Sequence, residues 1–182
     1  MQPTPTPADS IATYIRAKDG NRPHLLHAAF AADAILTMVV RTDAISFPPA
    51  SHGRDAIADT LVRRFNQTYE NVYTLCLGLP PEAGIQAFSC DWLVAMSQKQ
   101  DGAVRVGCGR YDWSFTPGGP TVSALTITIE PMEVMPPDTL APVMNWVSGL
   151  PYPWCPREAL ARVVPRLSGV AQALRYLSLE ID

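Results

Sequence analysis

The chain has 182 residues, enough for one domain with a proper core, whereas two halves would each sit near the marginal size. Apolar residues make up 47% of it and charged residues 17%, a globular composition rather than a disordered or membrane-spanning one. A formal net charge of -3 with no run of Lys or Arg gives little field to attract phosphates, which argues against nucleic acid and anionic membrane as partners and leaves small uncharged ligands open.

The first ten residues, MQPTPTPADS, lack the basic start and apolar core of an export signal, and the apolar run Ala34 to Val40 is far too short to span a bilayer. A cytoplasmic protein is therefore expected. Cys76, Cys90, Cys108 and Cys155 show no CxxC spacing, so they read as reduced, mostly buried thiols rather than a disulfide framework or a zinc knuckle. Residues 1–8 have the composition of a loose arm, with order beginning near Thr6. Thr6 and Asp9 have capping-box spacing, Pro7 suits a first helical turn, and Ile11, Tyr14 and Ile15 share a face, which predicts a helix ending near Gly20. Pro23 opens a second helix carrying Leu26, Ala29 and Phe30 and closing at Asp33, followed by a strand over Ala34 to Val40.

A third amphipathic helix follows Gly53, with Ile57, Leu61, Val62 and Phe65 on its stripe. From Tyr69 the pattern changes to long strands: Val72 to Leu77, Gln86 to Lys99, Val104 to Thr116 and Thr121 to Met135. Helices first and an antiparallel meander after predict an α+β domain over 9–135. Residues 136–182, with Leu140, Val143, Met144 and Val147 at helical spacing and a second helical stretch from Arg157 to Leu179 interrupted at Pro165, read as a helical extension. It is too small for a core of its own and should pack on the domain or on a partner.

The turns also predict which side chains share a face. A two-residue turn at Asp101 and Gly102 places Leu93 opposite Arg110, Trp92 opposite Tyr111 and Asp91 opposite Asp112. A bulge would spoil that register. A turn at Gly118 and Gly119 places Asp112 opposite Leu125, Arg110 opposite Ile127 and Cys108 opposite Ile129. One face then carries Asp91, Leu93, Ala95, Val106, Cys108, Arg110, Asp112, Leu125, Ile127 and Ile129, the composition of a ligand pocket. The other carries Phe88, Trp92, Val94, Met96, Tyr111, Trp113 and Phe115, which resembles a partner-facing patch and predicts a homodimer through Trp92, Tyr111, Trp113 and Phe115. The opposite assignment, aromatics inward and charges outward, is the ordinary reading of alternation; the Leu-Ile-Ile row favours the first.

The segments IATYIRAKDGNRPHLLHAAFAADAILTMVV, from Ile11 to Val40, and HGRDAI, from His52 to Ile57, resemble the opening of nuclear transport factor 2-like proteins, nearest the SnoaL-like polyketide cyclase and ketosteroid isomerase branches. The resemblance covers Asp9 to Met135. It implies a cone-shaped barrel of a curved antiparallel sheet, with N-terminal helices packed on its concave face around a ligand, commonly dimeric through the outer face. Against the ketosteroid isomerase pattern, Tyr14 falls on the tyrosine that donates a hydrogen bond to the substrate oxygen. The general-base aspartate of that pattern corresponds to about Met38 and the second oxyanion-hole acid to Cys108, so the steroid-isomerase route lacks two of its groups. Limonene epoxide hydrolase, another member, activates water with an Asp-Arg-Asp arrangement that Asp91, Arg110 and Asp112 resemble in residue type though not in aligned position.

Two carboxylates opposed in a pocket would split their pKa values, with Arg110 lowering one, and could then serve as acid and base. The bland alternative is a solvated salt-bridge cluster on the outer face. Tyr14 has a similar alternative as a core tyrosine satisfied locally. Met38, Leu93, Val106, Cys108, Leu125, Ile127 and Ile129 would line the pocket. His24, His27 and His52 have no third ligand or HExxH around them, and no GxGxxG, Walker loop or GxSxG occurs, so neither metal nor cofactor is expected. Mid-strand Gly107 and Gly109 suggest a close backbone approach or a bend. The sequence thus supports a pocket protein for a small apolar molecule. It could work as a cofactor-independent isomerase, hydratase or cyclase using carboxylate chemistry, as a non-catalytic binding protein, or as an assembly protein using the aromatic face.

Overall fold

A computed structural model describes residues 4–179; the first three residues of the expected arm lie outside it. The capping box forms as its spacing predicts. The Thr6 backbone N–H donates to Asp9 Oδ2 at 2.9 Å and the Asp9 N–H to Thr6 Oγ1 at 3.3 Å, starting helix α1 (Pro7–Asp19) at Pro7. Ile11, Tyr14, Ile15 and Lys18 all point inward from it. The second helix is shorter than its stripe suggests: a 3-10 turn from Pro23 to Leu25 and one turn of α2 (Leu26–Ala29) give way to strand β1 (Phe30–Val40). Phe30 already pairs with Val122, so sheet pairing overrides a helical pattern too short to hold against it.

Strand β2 (Ala50–His52) leads to a helical run made of α3 (Arg54–Ala58), a π-helical stretch from Asp59 to Arg64, and α4 (Phe65–Thr68). The long strands are β3 (Tyr69–Leu77), β4 (Ala87–Gln98), β5 (Val104–Phe115) and β6 (Val122–Met135). The extension supplies α5 (Leu140–Ser148), the two-residue β7 (Trp154–Cys155), α6 (Arg157–Leu160) and α7 (Ser168–Leu179). The seven strands form one open sheet in the order β2-β1-β6-β5-β4-β3-β7. It is mixed rather than purely antiparallel, because β1 runs parallel to β6 and β7 parallel to β3.

Helices cover both faces. On the inner face α1, α2 and the 54–68 run bury Tyr14, Phe30, Ile57, Leu61, Trp92, Tyr111 and Trp113. On the outer face the extension buries Leu75, Leu93, Val106 and Cys108 under Val143, Trp146, Val170 and Ala173. These helices of the extension pack on the sheet through Val143, Trp146, Val170 and Ala173. Among the described residues no helix is long and apolar enough to cross a membrane.

The registers explain which face is which. Gln98 N–H donates to Ala103 O at 2.9 Å, so the β4–β5 loop holds four residues instead of two, and Asp91 stands opposite Arg110 and Ser89 opposite Asp112. That slip of two leaves every side chain on its expected face. The β5–β6 turn is as predicted, with Phe115 paired to Val122, but an irregularity between Ser114 and Phe115 shifts the next pair to Ser114 and Ala124. A slip of one turns β6 over from Ala124 to Ile129, and a second irregularity between Gly107 and Gly109 restores the expected facing beyond it, where Met135 pairs with Val104 on the outer side. Leu125 therefore pairs with Trp113 and Ile127 with Tyr111, which moves the aliphatic row to the aromatic face.

Candidate functional site

A cavity of about 40 Å³ lies between α1, the 54–68 helical run and the inner face of the sheet. Tyr14, Trp92 and Tyr111 form one wall, and Met38, Met96, Met132, Ile127 and Ile129 form the sheet side. Ile45, Phe47 and Phe65 stand between it and an outer cleft that includes Arg64. Three unbranched methionines make this lining adaptable, because a thioether chain fills or vacates space at little cost. The two mid-strand glycines allow it. A Cβ on Gly107 would lie 2.5 Å from Met132 Cε, and one on Gly109 would lie 1.9 Å from Thr128 O and 2.8 Å from Trp92 Cζ2. The close approach expected at these positions is present.

Tyr14 is fully buried, its ring edge-on to Phe30, Tyr111 and Trp113 at centroid distances of 5.7, 6.2 and 5.5 Å. Its hydroxyl and the Nε1 groups of Trp92 and Trp113 are buried without a hydrogen-bond partner. Each such orphan costs about 1–3 kcal/mol. Burial pushes the phenols of Tyr14 and Tyr111 well above their ordinary range, while the neighbouring Tyr111 hydroxyl acts on Tyr14 in the opposite direction.

A polar network occupies one end of the cavity, where Lys18 and Thr74 contribute to the wall. Lys18 Nζ donates to Asp19 Oδ1 at 2.8 Å and to Thr74 Oγ1 at 2.6 Å, and lies 4.7 Å from the centre of the Phe65 ring. Asp19 also accepts from the Thr74 backbone N–H at 2.7 Å, from Thr74 Oγ1 at 2.8 Å and from the Tyr152 hydroxyl at 3.0 Å. Burial, and then the Asp19 charge, push the Tyr152 phenol up.

Several expected site residues lie elsewhere. Asp91 and Asp112 are not opposed, and both sit on the outer face with Arg110. Asp91 is buried, pairs with Arg157 of α6, and keeps its second oxygen without a partner. Arg110 and Asp112 form an exposed ion pair at 3.1 Å, and Ser89 Oγ donates to the same Asp112 oxygen at 2.6 Å. This pair matches the solvated cluster weighed above, from which the buried Asp91 is missing. Leu93, Val106 and Cys108 lie under the extension, with Cys108 Sγ 3.8 Å from Ala173 O. Tyr14, Met38, Ile127 and Ile129 do line the cavity, and Leu125 packs in the inner core beside it.

Trp92, Tyr111, Trp113 and Phe115 are 4%, 3%, 1% and 4% exposed within a single chain, so they do not form the surface patch from which a dimer was expected. Lys18, Thr74 and Phe65 were not among the expected site residues. Their one legible signal was the spacing of Tyr14 and Lys18, four residues apart on a capped helix. Among the described residues no group of three or more His, Cys, Asp or Glu is placed to hold a metal ion.

The sequence matches no protein-family model and no curated protein. Solved structures do match the fold. An NTF2-like protein from Burkholderia thailandensis superposes with a TM-score of 0.55 at 13% identity, over 70% of this chain and 92% of that one. The chain has the nuclear transport factor 2-like fold. A second NTF2-like superfamily protein, from Salmonella enterica, gives 0.53 at 16% identity over 68% of this chain and 88% of its own. A protein with a ketosteroid isomerase-like fold from Catenulispora acidiphila gives 0.51 at 18% identity over 69% and 85%. Each overlap leaves close to a third of this chain outside the shared NTF2-like fold.

Proposed function

We propose that the chain is a binding protein for a small, largely apolar molecule held in the inner cavity. The observation that carries this reading is the cavity wall itself, in which the orphaned Tyr14 hydroxyl and Trp92 Nε1 stand among methionine, isoleucine and aromatic side chains. An indole N–H is a donor only, so a ligand with an accepting atom would relieve both orphans. The cavity is lined by no Asp or Glu. Isomerisation, hydration or cyclisation through a carboxylate pair is therefore the weaker reading, because Asp91 and Asp112 are across the sheet. The Catenulispora protein was solved in complex with trimethylamine, a molecule of the scale that so narrow a cavity could take.

Native mass spectrometry of the purified protein, before and after denaturing extraction, tests the proposal directly. Release of a small apolar compound, whose return shifts the methyl NMR signals of Met38, Met96 and Met132, is the expected result. No released compound, together with methionine signals unmoved by a panel of small ketones, amines and hydrocarbons, would remove the binding reading.

A further inference from the structure

We infer that Lys18 is the polar anchor of this cavity, an ammonium that donates a hydrogen bond to the carbonyl oxygen of a neutral, otherwise apolar ligand. The inference rests on the cavity reading above and adds the chemistry at one end of it. Lys18 is one helical turn beyond Tyr14, so both side chains leave α1 on the same face and both line the cavity.

A lysine ordinarily extends its head to water while its stem covers apolar surface. Here the residue is 6% exposed and its head is turned inward. Lys18 balances the buried charge of Asp19, but it is not needed to fill the hydrogen-bonding capacity of that carboxylate. Asp19 already accepts the Thr74 N–H, the Thr74 hydroxyl and the Tyr152 hydroxyl, three donors that do not involve Lys18. The ammonium has three N–H groups and spends two on Asp19 and Thr74. The Phe65 ring is then what stands nearest in apolar surroundings, and a π face is a poorer acceptor than a carbonyl oxygen.

Charge selects the ligand class. Asp19 balances Lys18, so an anionic ligand would leave an uncompensated negative charge in an apolar cavity, whereas a ketone or aldehyde adds an acceptor and no charge. Tyr14, unpartnered one turn away, supplies a second donor to the same oxygen. Tyr152 does not line the cavity but donates to the second oxygen of Asp19 from an exposed position, which makes it a positioning residue for Lys18.

The test compares cyclopentanone with methylenecyclopentane, a hydrocarbon of nearly the same shape, on the full chain. The readouts are the side-chain ammonium NMR signal of Lys18 and the methyl signals of Met38 and Met132. Cyclopentanone should move the Lys18 signal and bind about tenfold more tightly than the hydrocarbon, the ratio expected of one charged hydrogen bond. Lys18→Met should bring the two affinities together. Tyr152→Phe should shift the Lys18 signal without ligand and reduce the ratio only partly, which keeps the test open if Lys18→Met does not fold. Methionine signals that move while the Lys18 signal stays still, with equal affinities, would overturn the anchor and leave the cavity reading standing. Tighter binding of cyclopentanecarboxylate than of cyclopentanone would overturn the choice of a neutral ligand. Methionine signals unmoved by any of the three would overturn both readings together.

Discussion

The two faces of the central strands are built from alternate residues of the same segments, yet they close differently: apart from one Asp91 oxygen the outer layer is sealed, and the inner one is not. On the outer face Leu93, Ala95 and Val106 are sealed under Val143, Trp146 and Val170, and the Trp146 indole donates to Leu160 O at 3.3 Å. On the inner face the indoles of Trp92 and Trp113 and the Tyr14 hydroxyl have no partner, and a cavity remains. Aliphatic side chains can close a layer by shape alone, since nothing on them needs a partner. Aromatic side chains with polar tips bring groups that must be satisfied, and leaving them unsatisfied in a stable domain is how a binding surface differs from a core.

If the outer face is purely structural, removing its cover should have the largest effect. A chain ending at Met135 would expose Leu75, Leu93, Val106 and Cys108 as one apolar surface. It should aggregate or self-associate, which size-exclusion chromatography with light scattering would show. A monomer melting at the full-length temperature would mean that the extension is not part of the core.

On the inner face the largest effect should come from Gly109→Ala, because its Cβ would meet backbone, Thr128 O at 1.9 Å, which has no means of yielding. A loss on the order of 4 kcal/mol, or no folding, is expected in urea titration. Gly107→Ala should cost only about 1 kcal/mol, since it meets the flexible end of Met132. Equal costs would show that the cavity lining is not adaptable. Across the sheet, Arg157→Met strands the buried Asp91 carboxylate and should cost about 3 kcal/mol, the lower end for a broken buried pair because Arg157 is itself part-exposed. The double variant with Asp91→Asn should recover most of that loss, and a double variant no more stable than the single would show that packing, not charge, fixes α6.

Most of the fold was legible because its signals were local: the Thr6–Asp9 box, the four strands and the turn glycines each depend on neighbours in sequence. The site was legible only in part, and the failure has one physical source. The β4–β5 register was wrong by two residues, which is harmless to facing, whereas the β5–β6 register was wrong by one, through a bulge beside a correctly placed turn. That single residue carried Leu125, Ile127 and Ile129 to the other side and made the outer face look like the pocket. Tyr14 and Met38 were placed by resemblance and did not depend on that register. Lys18 gave no signal beyond its spacing from Tyr14, because its role depends on Asp19, Thr74 and Tyr152, the last of them 133 residues from Asp19.

The smallest effect expected is also the one most specific to the unfinished face. Tyr14→Phe removes a hydroxyl that is buried and unpartnered, so at neutral pH it should stabilise by about 1 kcal/mol, the low end of what an orphan costs. Its larger consequence is at alkaline pH. Burial raises the Tyr14 pKa in the folded chain above the value of about 10 that the phenol has when unfolded. The neutral phenol's stabilisation is thus fully present below pH about 10 and is lost as pH rises toward the folded value, because the unfolded chain releases a proton that the folded one retains. Each such phenol contributes a slope of about 1.4 kcal/mol per pH unit in that window. Tyr69, Tyr111 and Tyr152 are raised as well, as are the Cys76 and Cys155 thiols, so the wild type should lose stability steeply above pH about 10. Tyr69, Tyr152 and the two thiols are common to both proteins and cancel in the comparison, while Tyr111, whose phenol Tyr14 helps to raise, changes in the same direction as the effect expected. The variant should therefore become more stable than the wild type by about 1.4 kcal/mol for each further pH unit, measured as urea midpoints from neutral pH upward. Parallel curves for the two proteins would mean that the Tyr14 hydroxyl reaches water, and the inner face would then lose the orphan donor on which its reading as a binding site depends.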